Sequence, residues 1–385
     1  MIKVKLPVPG GVEDYTLAAA KDFAAPDVPF NRIAFAAAHV VADPLADNNP
    51  LLDATVDWDR TMAFRHHLWS HGFAVAEAMD TAQRGMGLDY PKALELIQRS
   101  VKEARTVKGA AVFSGVGTDH LAPAPGRTMA QVKDAYCRQL ADIEAAGSRV
   151  IMMASRALAA SAEGPDDYAE VYGAVLTQAR EPVILHWLGD MFDPAVAGYW
   201  GSDDVATAMD NCLAVITANA SKIDGIKISL LSKEAEIDMR RRLPKGVRMY
   251  TGDDFNYTEL IEGDAQGYSH ALLGIFDAIA PAASAALKHL AAGNASRFNE
   301  LLAPTVPLSR HIFKAPTRFY KTGVVFLAYL NGHQDHFTMV GGQEAARSTL
   351  HLAELFKLAD KAGLLSNPDL AARRVATVMA VRGVN

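Results

Sequence analysis

The feature that most constrains the fold is a repeated alternation of short apolar segments with longer amphipathic ones, which begins near residue 30. The short segments have the length of β-strands, and the long ones place apolar residues at helical spacing. The eight candidate strands are Ile33–Ala38, Phe73–Met79, Gly109–Gly115, Arg149–Ser155, Pro182–Leu188, Ile223–Ser229, Val247–Gly252 and Gly267–Leu272. Eight such βα units within roughly 250 residues predict an α/β fold, a (β/α)8 TIM barrel.

The segments between the strands are predicted to be helices. The clearest of them are Asp57–His71, Tyr90–Arg105, Met129–Ala146, Pro165–Arg180 and Asp203–Lys222. Asp57, Thr128 and Asp203 occupy positions typical of helix N-caps. An open, doubly wound sheet is the alternative architecture. It is disfavoured because no Gly-x-Gly-x-x-Gly motif follows the first strand.

The two ends of the chain lack this alternation. Ile2–Leu6 and Tyr15–Leu17 flank a Pro-Gly-Gly turn, which predicts a short hairpin. Four segments near the C-terminus look helical without intervening strands: Phe276–Ala291, Ala295–Leu302, Tyr320–Leu330 and Gln343–Ala362. We therefore predict three parts, namely an N-terminal extension at 1–29, a catalytic barrel at 30–275, and helices packed on the barrel at 276–385.

Composition excludes several classes of protein. Half of the residues are apolar and 21% are charged, as in ordinary globular proteins. The net charge of -6 and the scattered basic residues disfavour nucleic-acid binding. No secretory signal and no apolar run of about 18 residues is present, so we expect a cytoplasmic protein without membrane contact. Two cysteines, Cys137 and Cys212, cannot form a disulfide framework or a cysteine metal knuckle.

The sixth candidate strand, Ile223–Ser229, carries a lysine near its centre. Side chains alternate between the two faces of a strand, so Gly225, Lys227 and Ser229 share one face, and the isoleucines between them share the other. The isoleucines suit the helix-facing side. Lys227 is therefore predicted to point into the barrel.

An interior lysine has a chemical consequence. Burial disfavours the ammonium form and lowers its pKa, which leaves a free amine able to attack a carbonyl group. Gly225, one step earlier on the same face, is expected to leave room for the Lys227 side chain. The alternative interpretation is a lysine that reaches the strand end or pairs with a carboxylate such as Glu77.

Two motifs around this lysine resemble those of a known family. Gly225-Ile-Lys227 and Gly252-Asp-Asp254 are similar in order and spacing to motifs of the dihydrodipicolinate synthase and N-acetylneuraminate lyase superfamily of class I aldolases. The resemblance runs from about residue 30 to 340. It implies that Lys227 forms a Schiff base and that Gly252 lines the substrate pocket. Because catalytic groups of such barrels lie at strand ends, Ser155, Ser229 and Asp253 complete the predicted pocket.

The loop after the second strand differs from that family. Met79–Gly85 lies where the family carries Gly-Thr-Thr-Gly-Glu, which holds the carboxylate of a 2-oxo acid. Thr81 is retained, Ala82 replaces the second threonine, and Arg84 replaces the glutamate. Carboxylate binding is predicted in an altered form, which leaves open whether pyruvate is the substrate. The predicted binding residues of this loop are Asp80, Thr81, Ala82 and Gln83.

Three further positions depart from the family. His186 lies where the family carries a proton-shuttling tyrosine, and an imidazole can carry protons near neutral pH. A buried core histidine is the alternative. Met191 lies near the position of an arginine that binds a second carboxylate, and Arg156-Ala157 replaces a tyrosine of the fourth strand. These changes disfavour synthesis of dihydrodipicolinate.

Two other functions remain open. A divalent metal site is one: His39, Glu77, His186 and Asp253 lie at or near strand ends, and such a site would indicate a metal-dependent aldolase or sugar isomerase. Smaller histidine groups, for which we favour structural roles, are His66, His67, His71, His333 and His336. A non-catalytic binding barrel is the other possibility, because the loop and the tyrosine positions have changed.

The sequence thus favours a Schiff-base lyase, aldolase or dehydratase. Lys227 attacks a 2-oxo acid or keto sugar acid and forms an imine, and His186 moves the proton. No organic cofactor is expected, because the lysine itself activates the carbonyl, and no metal is assigned in this interpretation. The expected partner is a small-molecule substrate. The resemblance also implies a homo-oligomer, a dimer or a tetramer.

Overall fold

Eight parallel strands close into a barrel in a computed structural model that describes residues 2–384. The barrel strands are β3 (Ala34–Ala37), β4 (Ala74–Glu77), β5 (Val112–Val116), β6 (Arg149–Met152), β7 (Val183–Leu188), β8 (Ile223–Ser229), β9 (Arg248–Thr251) and β10 (His270–Leu273). Each strand pairs with the next in the chain, and β10 also pairs with β3. The predicted (β/α)8 barrel is confirmed, and the doubly wound alternative is wrong because this last pairing closes the sheet.

The ends of the predicted strands differ from the observed ones by at most a few residues. The prediction began the third and eighth strands at Gly109 and Gly267, whereas β5 and β10 begin at Val112 and His270. Both glycines have a positive φ, 81° and 148°, which belongs to a turn. The chain turns at these glycines before it enters the sheet.

The hairpin predicted at the N-terminus is confirmed as β1 (Lys3–Val8) and β2 (Gly11–Thr16), which pair antiparallel. Val4 and Leu6 are buried, and Tyr15 Oη donates to Asp360 Oδ2 over 2.8 Å. The hairpin is thereby fixed to the C-terminal helices. The bounds of the three predicted parts of the chain stay a prediction.

Helices surround the barrel and continue beyond its last strand. They are α1 (Trp58–Ser70), α2 (Tyr90–Ala104), α3 (Met129–Ala146), α4 (Arg156–Ser161), α5 (Pro165–Gln178), α6 (Val205–Ala218), α7 (Lys233–Arg242), α8 (Tyr257–Glu262), α9 (Ile275–Ala278), α10 (Ala280–Ala291), α11 (Ala295–Leu302), α12 (Thr305–Ile312), α13 (Tyr320–Leu330), α14 (Thr349–Ala362) and α15 (Pro368–Val381). Among the helices that follow the last strand, α12 and α15 were not predicted. The predicted helix at Phe276–Ala291 is divided at Ile279 into α9 and α10.

The predicted N-caps are confirmed at two of three positions. The Asp57 carboxylate accepts from Arg60 N over 3.0 Å at the start of α1. Thr128 and Gln131 form a reciprocal capping box on α3. The third prediction is wrong by one residue, because Asp204 rather than Asp203 caps α6.

The inner face of the barrel is apolar over its lower part. The buried side chains that fill it are Phe35, Ala37, Ala76, Phe113, Ile151, Ile184, Tyr250 and Leu272. The rings of Phe35 and Phe113 meet edge to face, with centroids 4.9 Å apart. Polar inward-facing residues begin one step further along the strands, so the polar site lies towards the carboxyl ends.

Helix α13 is the central element of the C-terminal part, and every one of its residues is buried. It contacts α9, α12, α14 and α15. Its first two residues, Tyr320 and Lys321, reach the carboxyl end of the barrel. No helix among residues 2–384 combines the length and the apolar character that a membrane crossing requires.

Candidate active site

Lys227 lies on β8, directly opposite His186 of β7 and Tyr250 of β9. Ile226 and Ile228 pack in the layer between the sheet and the helices, so Lys227 faces the barrel interior, as the alternation of side chains predicts. The residue is 5% exposed. Its amine forms no hydrogen bond or ion pair with any group in residues 2–384. The alternative of a Lys227–Glu77 pair is therefore wrong.

The environment of Lys227 favours its neutral form. Burial lowers the pKa of Lys227 below the usual lysine value, and the carboxylates of Asp80 and Asp254 oppose the shift. Burial also raises the pKa of Asp254 to about 8, so this acid is a weak counter-ion near neutral pH. Asp254 Oδ1 accepts from Ile275 N over 2.8 Å, which fixes the carboxyl group.

The space for the lysine side chain comes from Gly252, which follows β9. A Cβ atom at this position would lie 2.7 Å from Lys227 Cε. Our prediction that Gly225 provides this space is wrong. A Cβ atom at Gly225 would instead meet the ring of Tyr250 at 2.6 Å, because that ring leans across from the neighbouring strand.

His186 is buried at the same level of the barrel. Its Nε2 lies 3.2 Å from Ser229 Oγ, at the end of β8. Burial, and next the positive charge of Lys227, lower the pKa of His186 well below its usual value. The imidazole is neutral at neutral pH, and in this form it can both accept and donate a hydrogen bond.

A hydrogen-bonded group from the C-terminal helices completes the inner end of the site. Tyr320 Oη donates to Asp80 Oδ2 over 2.7 Å and lies 2.7 Å from Thr81 Oγ1. Lys321 Nζ lies 3.8 Å from Asp80 Oδ2. Burial alone would raise the pKa of Asp80, but the charges of Lys321 and Lys227 hold it below its usual value. Asp80 is therefore an anion.

Lys321 is the second buried lysine of the site. Its amine donates to Arg318 O over 3.0 Å. Burial lowers the pKa of Lys321 to about 8, with the Asp80 carboxylate opposing the shift. No sequence motif points to Tyr320 or Lys321, because each meets Asp80 only after the chain has passed through the whole barrel.

A cavity of about 350 Å³ opens at the carboxyl ends of the strands. Its lining includes Asp80, His186, Tyr90, Met153, Phe192 and Lys321. Lys227 does not itself line this space, but its cross-strand neighbour His186 does. The amine thus lies beside the inner end of a pocket large enough for a small substrate.

Two arginines in the cavity wall are held by carboxylates. Arg84 donates to Asp119 over 2.7 and 3.0 Å and to Gln139 Oε1 over 2.5 Å. Arg156 Nε donates to Asp193 Oδ2 over 2.5 Å. Arg84 occupies the position of the glutamate in the aldolase superfamily that the sequence resembles. Here it joins the loop after β4 to the neighbouring strand and helix.

Of the eight residues predicted to bind substrate, only Asp80 belongs to the cavity lining, and the other seven, Thr81, Ala82, Gln83, Ser155, Ser229, Gly252 and Asp253, lie outside it. Ala82 is fully buried in the core, and Gln83 Nε2 donates to Val340 O over 2.7 Å. Ser155 Oγ lies 2.6 Å from a threonine hydroxyl and caps α4. Asp253 accepts from the backbone and side chain of Asn256. These side chains support the walls of the site.

The proposed divalent metal site does not form. Glu77 faces the helices, where Arg65 and Ser100 occupy its carboxylate. His39 Nδ1 lies 2.8 Å from Asp277 Oδ2. Across residues 2–384, no three histidine, cysteine or acidic side chains converge as a metal site would require. The metal-dependent alternative is therefore wrong for these four residues, because each candidate ligand has a separate partner.

Three histidines gather outside the barrel. The ring of His67 lies 4.7 Å from that of His71 and 4.3 Å from that of His333, between centroids. Burial lowers the pKa of His67 to about 3, so it is neutral. His66 instead pairs with Glu103, and His336 accepts from a backbone amide. These contacts agree with the structural roles favoured from the sequence.

Comparison with known proteins gives the family. The family described as "Protein of unknown function (DUF993)" matches residues 4–384. The chain belongs to this family. No curated protein matches the chain significantly.

Solved structures extend the comparison beyond DUF993. Dihydrodipicolinate synthase from Aquifex aeolicus is 13% identical, with a TM-score of 0.65 over 87% of this chain and 99% of that one. The 4-hydroxy-tetrahydrodipicolinate synthase from Methylacidiphilum fumariolicum SolV is 14% identical, with a TM-score of 0.63 over 90% and 99%. At these identities the similarity establishes a shared fold.

A third similar structure was solved with a bound ligand. A prophage protein of the dihydrodipicolinic acid synthase family from E. coli K12, in complex with pyruvate, is 11% identical, with a TM-score of 0.64 over 92% of this chain and 99% of that one. The resemblance predicted from the motifs is thus confirmed at the level of the fold.

Proposed function

We propose that the chain is a class I lyase, an enzyme that forms a Schiff base between Lys227 and the carbonyl carbon of a small-molecule substrate. The observation that carries this proposal is the unpaired, buried Lys227 amine beside a cavity. A lysine kept without a partner inside a barrel costs stability. That cost is understandable where a free amine is needed for chemistry.

The chemistry begins with the neutral amine. Lys227 Nζ bonds to the carbonyl carbon, and the carbonyl oxygen leaves as water after it receives two protons. The resulting protonated imine accepts the electron pair of a neighbouring carbon–carbon bond as that bond breaks, or stabilises a carbanion that expels a hydroxyl group. After carbon–carbon cleavage the resulting enamine takes up a proton at carbon, and hydrolysis of the imine then returns the lysine.

His186 is proposed as the group that moves the proton. It lines the cavity, lies beside Lys227 across the sheet, and is neutral. A neutral imidazole can take a proton from a substrate hydroxyl while Ser229 Oγ fixes the ring. The predicted roles of Thr81, Gly252 and the other pocket residues in binding substrate stay predictions.

Borohydride trapping tests the proposal. The protein is treated with borohydride and a panel of 2-oxo acids and keto sugars, and the modified peptide is identified by mass spectrometry. We expect an adduct on Lys227 that is lost in Lys227→Met. Lys321→Met is the matched control, since Lys321 is also a buried lysine near Asp80, and it should retain the adduct.

Two outcomes would contradict the proposal. An adduct on Lys321 would move the nucleophile to α13. The absence of an adduct with every carbonyl compound would favour a non-catalytic binding barrel. The predicted 2-oxo acid or keto sugar acid substrate, the dimer or tetramer, and the expectation of no cofactor are separate predictions that this experiment does not require.

A further inference from the structure

Asp80 places a negative charge at the inner end of the cavity. Its side chain is 21% exposed, and the residue lines the cavity together with His186. Its Oδ2 atom receives the Tyr320 hydroxyl. Its Oδ1 atom accepts no hydrogen bond from any group in residues 2–384. An ionised carboxylate can only accept, so Oδ1 is a vacant acceptor in the wall of the site.

The side chains near Asp80 do not suit a second anion. His186 is neutral, and the Thr81 hydroxyl is engaged with Tyr320. Arg84 and Arg156 are each paired with an aspartate. Lys321 Nζ, 3.8 Å from Asp80 Oδ2, is the cation that pairs with Asp80, and its charge is balanced by Asp80 itself.

A carboxylate attached to the reacting carbonyl carbon would lie near Asp80, whose charge is close enough to raise the pKa of Lys227. It would lie one bond from the carbon that joins Lys227 Nζ, and it would bring a second negative charge close to Asp80. Like charges repel strongly where water is largely excluded. A hydroxyl group in the same place would instead donate a hydrogen bond to the vacant Oδ1.

We propose that Asp80 is a specificity-determining residue that selects a hydroxy ketone, a sugar-like substrate with a hydroxyl-bearing carbon rather than a carboxylate beside its carbonyl group. Asp80 accepts a hydrogen bond from that hydroxyl. This inference rests on the proposed function, because it assumes that Lys227 attacks the carbonyl. It replaces the predicted 2-oxo acid or keto sugar acid with a ketone of the sugar type.

Hydroxyacetone and pyruvate form a matched pair of probes. Both are three-carbon methyl ketones, and they differ in carrying either a hydroxymethyl group or a carboxylate on the carbonyl carbon. Each is offered to the whole protein with borohydride, and the adduct is measured by intact mass. We expect the wild-type protein to form at least tenfold more adduct with hydroxyacetone than with pyruvate.

The variant Asp80→Asn removes the charge and keeps the size. An asparagine can donate to a carboxylate, so we expect the ratio of hydroxyacetone to pyruvate adduct to fall at least tenfold. The ratio is the measured quantity because the loss of Asp80 also changes the reactivity of Lys227 towards both probes. Asp254→Asn is the control, since Asp254 is near Lys227 but does not line the cavity, and it should leave the ratio unchanged.

The outcomes separate this inference from the function on which it rests. Equal trapping of both probes by the wild-type protein, or an unchanged ratio in a folded Asp80→Asn variant, overturns the role of Asp80 and leaves the Schiff base intact. A similar fall in the ratio for Asp254→Asn also overturns it. If neither these probes nor the wider carbonyl panel forms an adduct, the proposed function fails, and this inference fails with it.

Discussion

Gly252, which follows β9, lies against the side chain of Lys227 on the neighbouring strand β8: a Cβ atom at Gly252 would lie 2.7 Å from Lys227 Cε. The same atom would lie 2.4 Å from Ser229 Oγ and 2.5 Å from Ile228 O. The backbone oxygen cannot move without disturbing the sheet. The absence of a side chain at position 252 therefore determines where the lysine can lie.

Gly252→Ala is expected to displace the Lys227 side chain and reduce adduct formation at least tenfold. Overpacking of this kind costs about 1–3 kcal/mol of stability. Borohydride trapping and urea unfolding measure the two effects. Gly173→Ala is the control, because Gly173 lies in α5 with nothing within 4 Å of its added Cβ. Normal trapping by Gly252→Ala would show that the lysine does not depend on this space.

The position of Lys227 was predictable because it follows from local rules. Alternation along Ile223–Ser229 separates the lysine from two isoleucines, and the strand has the predicted ends. The same rule applied to β4 would have placed Glu77 with Val75 on the helix side, away from a metal site. That error came from treating every polar residue near a strand end as part of the site.

The rest of the site depends on contacts between distant segments. Tyr320 and Lys321 meet Asp80 because α13 is buried across the end of the barrel, and no spacing in the sequence encodes that contact. The space for Lys227 likewise comes from Gly252 rather than Gly225, because the Tyr250 ring fills the place beside Gly225. Which glycine leaves space for Lys227 therefore depends on the side-chain conformations of the neighbouring strands.

The pH dependence of adduct formation should report the charge on Lys227. Trapping requires the neutral amine, so its rate should rise with pH and level off above the pKa of Lys227, which burial lowers below the usual lysine value. The negative charge of Asp80 raises this pKa, so Asp80→Asn should move the inflection to lower pH. Trapping rates from pH 5 to 10 measure the shift. An inflection that moves to higher pH would contradict the proposed interaction.

Glu236 provides a test of pH-dependent stability. It lies in α7, is 1% exposed, and accepts from Ser269 Oγ over 2.6 Å, while its Oε2 atom has no partner among residues 2–384. Burial raises its pKa to about 8. Between the unfolded pKa of about 4.3 and this value, the folded state holds a proton that the unfolded state has lost. Stability should therefore fall as pH rises, by about 1.4 kcal/mol for each pH unit.

Glu236→Gln mimics the protonated acid and should remove this dependence. Urea unfolding at pH 5, 7 and 9 should show little difference from wild type at pH 5 and a stabilised variant at pH 9. Glu234→Gln, at an exposed position of the same helix, is the control and should leave the pH dependence almost unchanged. A variant less stable than wild type at pH 9 would show that the ionised carboxylate is tolerated there.

Glu77 should matter for stability, because its carboxylate balances a fully buried cation. It accepts from Arg65 Nε over 2.9 Å and from Arg65 Nη2 over 2.8 Å, and both side chains are 0% exposed. Removing one partner of a buried pair leaves an uncompensated charge and typically costs about 3–5 kcal/mol.

We expect Glu77→Gln to lower the free energy of unfolding by about that amount, measured by urea denaturation. Glu95→Gln is the control: Glu95 pairs with Arg99 and Lys92 on the surface of α2, where such pairs contribute about 0–1 kcal/mol. A Glu77→Gln variant that kept wild-type stability in a chelating buffer, but lost a metal-dependent activity, would restore the metal hypothesis. A large loss of stability that is independent of added metal or chelator would assign Glu77 to the framework that holds β4 and its loop in place.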